Sequence, residues 1–150
     1  MVAEGRGIKV TPDGDIYEGY FKENVMQGNG RHISHLGEVY NGPYLDGHRH
    51  GNRGVLTEED GRCYIGEFSK GKRDGNGVQT DANGEKYEGE WKEDKRHGQG
   101  ILTLANRDAL SGTWNENEPS GSILCRFADN GGSEMWIYRD GNLIKRSRLA

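Results

Sequence analysis

Five times along this chain a glycine sits midway between two large apolar residues, and the spacing hardly changes. The set is Tyr17-Gly19-Phe21, Tyr40-Gly42-Tyr44, Tyr64-Gly66-Phe68, Tyr87-Gly89-Trp91 and Leu110-Gly112-Trp114. Successive starts differ by 23, 24, 23 and 23 residues. A fixed period of this length means that one small supersecondary unit is stacked many times. Such an array presents an extended surface, whereas catalysis needs unlike groups converging in a pocket.

Composition points the same way. Only 31% of the 150 residues are hydrophobic and 25 are glycine, a glycine share more than twice the usual ~7%. That excludes a thick core and favours a thin structure held by backbone ladders and one aromatic layer. The charge content of 29% and mean hydropathy of -0.96 would suit a disordered chain, but disorder gives no reason for aromatics in register. A net charge of -4 removes the basic excess expected of a nucleic-acid binder. No apolar run nears the ~18 residues that span a bilayer, and the N-terminus lacks a signal-peptide core. Cys63 and Cys125 occupy non-equivalent repeat positions. They read as free thiols in a reducing, cytoplasmic setting, with cytoskeletal or membrane association left open.

The clearest unit runs from Tyr87 to Asp108. Tyr87, Gly89 and Trp91 share parity and project from one face of a strand, with Glu88, Glu90 and Lys92 on the other. The glycine lets both rings lean over bare backbone. Glu93 to His97 reads as a turn, and Gly98-Gln99-Gly100 opens a second strand. Asp13-Gly14, Asp60-Gly61, Asn83-Gly84 and Asn130-Gly131 are hairpin-turn signals between units. No stretch shows a helical apolar period. The expectation is all-β: an elongated, twisted, single-layer antiparallel meander of five to six hairpin repeats.

Tyr-x-Gly-x-aromatic, a basic stretch, His/Asp-Gly-x-Gly and an Asn/Asp-Gly turn together resemble the MORN repeat (membrane occupation and recognition nexus). Tyr87 to Trp91 with His97-Gly98-Gln99-Gly100, and Tyr64 to Phe68 with Asp74-Gly75-Asn76-Gly77, match it best. The resemblance covers nearly the whole chain and divides a single domain, 1–150, into a half repeat at 5–14 and repeats at 17–39, 40–63, 64–86, 87–109 and 110–133. A degenerate capping hairpin and basic tail fill 134–150. It implies a curved sheet used for protein contacts and scaffold assembly, homodimerisation in some members, and catalysis only where a separate domain carries it. The half repeat at the start leaves open that this is a regulatory piece of a longer protein. Gly51-Asn52-Arg53-Gly54 has one residue too many and predicts a bulge.

The aromatic stripe is first of all the buried face that any sheet needs. It is also the candidate groove for a partner helix or extended segment, with Tyr44, Tyr64, Phe68, Tyr87, Trp91 and Trp114 as contacts. Arg49, Lys72, Arg73, Lys95 and Arg96 fall in equivalent segments and are expected to form a basic edge that steers acidic partners. A phosphoinositide-rich or acidic membrane surface is the alternative ligand, and self-association through open sheet ends is a further option. His32-x-x-His35 and His48-x-His50 lack the ligands to complete a zinc site. The EF-hand-like spacing of Asp81, Asn83, Gly84 and Glu90 is explained by a hairpin turn. No metal, cofactor or catalytic group is expected.

Overall fold

The computed structural model describes residues 2–150. The strands are β1 (Gly5–Val10), β2 (Ile16–Lys22), β3 (Val25–Ile33), β4 (Val39–Leu45), β5 (His48–Arg49), β6 (Gly51–Thr57) and β7 (Cys63–Ser69). They continue as β8 (Lys72–Thr80), β9 (Lys86–Lys92), β10 (Lys95–Thr103), β11 (Ala109–Asn115), β12 (Glu118–Arg126), β13 (Ser133–Arg139) and β14 (Asn142–Arg148). All belong to one open antiparallel sheet in chain order, with β5 alone off the path beside β4. The described residues contain no helix. The expected meander of hairpins is what forms.

Each unit closes on a two-residue turn with both central residues in the left-handed region. Glu23-Asn24 (φ 49° and 70°), Glu93-Asp94 (47° and 69°) and Glu116-Asn117 (48° and 74°) are examples. This is the type I′ pattern, whose twist suits a hairpin. The five-residue turn expected at Glu93 to His97 is therefore too long, because Lys95, Arg96 and His97 already belong to β10. Asp94 and Asn117 also clasp the preceding unit. Each donates its backbone N–H to a carbonyl, Arg73 and Arg96 respectively, and its side chain accepts that same residue's N–H at 2.9 Å.

The bulge predicted at Gly51–Gly54 is present. It lies where β6 pairs with β7 of the next unit, and the equivalent pairings β8–β9 and β10–β11 have none. Separate register shifts fall inside the hairpins, between Gly66 and Phe68, Arg96 and Gly100, and Gly112 and Thr113. The first glycine of each Gly-x-Gly has positive φ, as at Gly75 (100°) and Gly98 (62°), which is why that residue type recurs there.

Register then brings the remaining glycines together. Gly7, Gly19, Gly30 and Gly42 pair in sequence, and Gly54, Gly66, Gly77, Gly89, Gly100 and Gly112 continue the row. Tyrosine rings lie across this bare strip. Tyr40, Tyr64 and Tyr87 donate their hydroxyls to the carbonyls of Pro43, Glu67 and Glu90 at 2.9, 2.9 and 3.0 Å. In the two central units the second aromatic packs edge-on against two tyrosines, Phe68 against Tyr40 and Tyr64 at 5.2 Å each and Trp91 against Tyr64 and Tyr87 at 5.3 and 5.2 Å. Such pairs contribute about 0.5–1.5 kcal/mol each beyond burial. A one-layer sheet thus builds a core without a second layer.

Candidate partner-binding face

Burial decides how the aromatic stripe can act. Tyr44, Tyr64, Phe68, Tyr87, Trp91 and Trp114 are only 2–5% exposed. They form the floor of the face, not an open apolar patch. Burial pushes the hydroxyls of Tyr44 and Tyr87 up to about 12, so both are neutral near pH 7. The Tyr44 hydroxyl has no hydrogen-bond partner among the described residues.

What covers the floor are the arginines expected on an exposed edge. Arg49, Arg73 and Arg96 pair in register with Tyr44, Phe68 and Trp91, so their side chains turn onto the ring-bearing face. The Arg73 guanidinium lies 4.5 Å above Trp91 and 5.8 Å from Tyr64, and Arg96 lies 4.9 Å above Trp114 and 5.6 Å from Tyr87. Each arginine therefore bridges its own unit's tyrosine and the next unit's tryptophan. Arg49 covers Tyr40 at 4.9 Å. Lys72 and Lys95 point elsewhere and are exposed, so the five residues do not share one edge. The sequence reading missed this because it placed the arginines in a turn, where parity has no meaning.

Between two such lids lies a hollow of about 290 Å³ lined by Arg73, Gln79, Tyr87, Trp91, Asp94 and Arg96, among others. Arg73 is fixed there by donating to Asp94 Oδ1 at 3.1 Å and to the Asp94 carbonyl at 2.9 Å. Arg96 donates to the Asn117 carbonyl at 2.8 Å. Four of the residues expected to make contacts, Arg73, Tyr87, Trp91 and Arg96, thus converge. Tyr44, Phe68 and Trp114 lie farther along the same face.

Three of these units match the family model for the MORN repeat, at residues 17–34, 64–86 and 87–109. The chain carries MORN repeats. The MORN sheet is similar in fold to the TCP domain of SAS-4 (dCPAP) of Drosophila melanogaster, solved in complex with a proline-rich motif of Ana2 (dSTIL). That likeness has a TM-score of 0.59 at 14% identity and covers 99% of this chain and 86% of that one. No curated protein matches the chain in sequence.

At the N-terminal end the MORN face carries a polar cluster that sequence reading did not assemble. His32 stacks on Tyr17 at 4.2 Å and donates Nε2–H to Asp15 at 2.9 Å, while its Nδ1 accepts from Arg49 at 3.3 Å. Arg49 also pairs with Glu38. Asp15 further accepts the His35 backbone N–H at 2.9 Å and the His35 ring N–H at 2.5 Å. The His32/His35 spacing therefore serves a carboxylate. These bonds, the His35 backbone N–H first, hold Asp15 well below the usual carboxylate range. A lowered folded-state value contributes stability above the unfolded value near ~3.9 that is lost as pH falls further. Thermal midpoints taken across acid pH should fall below about pH 4 in the natural protein, and more shallowly in Asp15→Asn, which starts less stable at neutral pH. Parallel acid limbs in both proteins would show that Asp15 is not the group responsible.

Proposed function

We propose that the chain is a non-enzymatic adaptor whose aromatic face receives an extended, proline-rich protein segment over the Tyr87/Trp91 hollow. The carrying observation is the hollow itself, with ring edges below and two anchored guanidinium groups at its rim. A polyproline II segment has solvated carbonyls and apolar ring faces, which suits arginine donors set beside aromatic rings. The complex of the structurally similar SAS-4 domain with a proline-rich motif supports the same class of ligand.

A proline-rich peptide titrated into isotope-labelled protein should shift the indole N–H signals of Trp91 and Trp114. Arg73→Ala/Arg96→Ala should weaken that binding by about tenfold or more while costing only ~1–2 kcal/mol of stability through lost cation–π contacts. Shifts confined to the opposite face would remove the proposal. Salt-sensitive sedimentation with acidic liposomes, lost on Lys72→Glu/Lys95→Glu, would instead favour a membrane-surface role.

A further inference from the structure

On the face opposite the rings, β1, β2, β3, β4 and β6 frame a groove of about 790 Å³. Its floor is the backbone of Gly19, Gly30 and Gly42, which pair in one row. The residues on either side of that row project to this face and make two banks, because side chains alternate along a strand. Arg6, Tyr20, Asn29 and Arg53 stand on one bank, and Glu18, Arg31 and Asn41 on the other. The banks lie about 7 Å apart, two residues along a strand.

Arg6, Arg31 and Arg53 are exposed, and among the described residues none of them forms an ion pair. Arg49, Arg62 and Arg73, by contrast, all pair with carboxylates. Glu18 is the one carboxylate in the lining, so three guanidinium groups face a single opposing charge. Beyond Arg53 the bank reaches Glu67 on β7, which accepts the Asn76 N–H, and the basic stretch ends there. In a chain of net charge -4 this is a local excess of the opposite sign.

We propose that this groove binds an extended acidic segment of a partner protein, with carboxylates at every third residue. Its width admits one extended chain but not an α-helix, whose diameter is about 10–12 Å. The arginines alternate in bank: Arg6 and Arg53 on one, Arg31 on the other and midway between them. Each step, β1 to β3 and β3 to β6, spans two strand spacings, or about 10 Å. Three residues of extended chain also advance about 10 Å, and an odd step reverses the side to which the side chain points. Carboxylates three residues apart therefore meet Arg6, Arg31 and Arg53 in turn. Asn29 and Asn41, one on each bank, offer carboxamides that bond the N–H and C=O groups of the segment between those anchors. Tyr20, 52% exposed beside Arg6, adds an aromatic wall. The groove lies on the reverse of the Tyr87/Trp91 hollow, so the two sites can be filled together.

Fluorescence anisotropy with a synthetic serine peptide carrying glutamate at every third residue tests this. The peptide should bind the natural protein saturably, and more weakly as salt is added. An isomeric peptide with its glutamates adjacent should bind about tenfold less tightly. Arg31→Glu and Arg6→Glu/Arg53→Glu should each weaken the first peptide by about tenfold or more. Glu18→Gln, which removes the opposing charge, should tighten it, and Lys72→Glu/Lys95→Glu, outside the groove, should leave it unchanged. Unchanged melting midpoints in these variants, whose side chains are exposed, would exclude misfolding as the cause. Absence of saturable binding, equal affinity for the two peptides, or indifference to Arg31→Glu overturns the proposal. So does tighter binding of an acidic vesicle or a single-stranded oligonucleotide, which would assign the groove to phosphate instead.

Discussion

Gly66→Ala should lower stability by about 3 kcal/mol or more, a large loss for one added methyl group. The reason lies in the glycine row. A Cβ on Gly66 would sit 2.5 Å from the Gly77 Cα, 2.6 Å from the Asn76 carbonyl oxygen and 2.7 Å from the Tyr64 hydroxyl oxygen. Two of these are backbone atoms of the paired strand, so no rotamer change relieves the contact. The third belongs to a hydroxyl already donating to Glu67, and moving it would leave a buried polar group less well bonded. Gly66 does not have the positive φ that would itself exclude alanine, so the effect measures space alone. Gly7 supplies the control. It occupies the same row at the sheet's first strand, has no positive φ, and nothing lies within 4 Å of its added Cβ. Gly7→Ala should stay within ~0.5 kcal/mol of the natural protein in urea unfolding. Equal effects at the two sites would mean that the rings do not hold the strip closed.

The contrast also marks what the sequence made legible. Period-two alternation around Gly19, Gly42, Gly66, Gly89 and Gly112 predicted the first strand of every hairpin, its ring-bearing face and the need for bare backbone between rings. Alternation is a within-strand property, so it transfers directly. Cross-strand register does not, and the features that depend on it were invisible. The glycine row exists because a bulge in each unit shifts the partner strand until Gly77 meets Gly66 and Gly100 meets Gly89. The arginine lids exist because the turn uses two residues and not five, which gives Arg73 and Arg96 a strand parity and aims them at the rings. Positive φ at Glu93 and Glu116 carried no warning, since glutamate is a poor marker of the left-handed region. Asp94 and Asn117, which follow them, were the available signal. The Asp15–His32–Arg49 cluster joins the first two repeats through side chains up to 34 positions apart, and no local pattern could have grouped them. Cys125 proved buried, its thiol pushed up to about 11 by desolvation, so it is unreactive for reasons of packing.

Trp91→Ala should cost about 3–5 kcal/mol, in the range for truncating a buried tryptophan. It removes edge-on contacts with Tyr64 and Tyr87, the floor beneath Arg73, and the indole N–H donated to the Gly77 carbonyl at 3.2 Å. These groups come from two adjacent repeats, so the loss falls on the coupling between them. In a linear array stability is close to a sum of repeat terms and nearest-neighbour terms. Weakening one central interface should therefore do more than lower the midpoint: it should separate the two flanks. Hydrogen exchange is expected to show the amides of β7–β8 and β9–β10 opening with different free energies in Trp91→Ala and together in the natural protein. Trp136→Ala is the matching control, because Trp136 is only half-buried and meets one other ring, Phe127, tilted at 6.5 Å. Its loss should leave the central repeats coupled. This has a consequence for any binding experiment. A partner lost in Trp91→Ala would report a damaged scaffold, whereas one lost in Arg73→Ala/Arg96→Ala, with exchange still uniform, would report the contact surface itself.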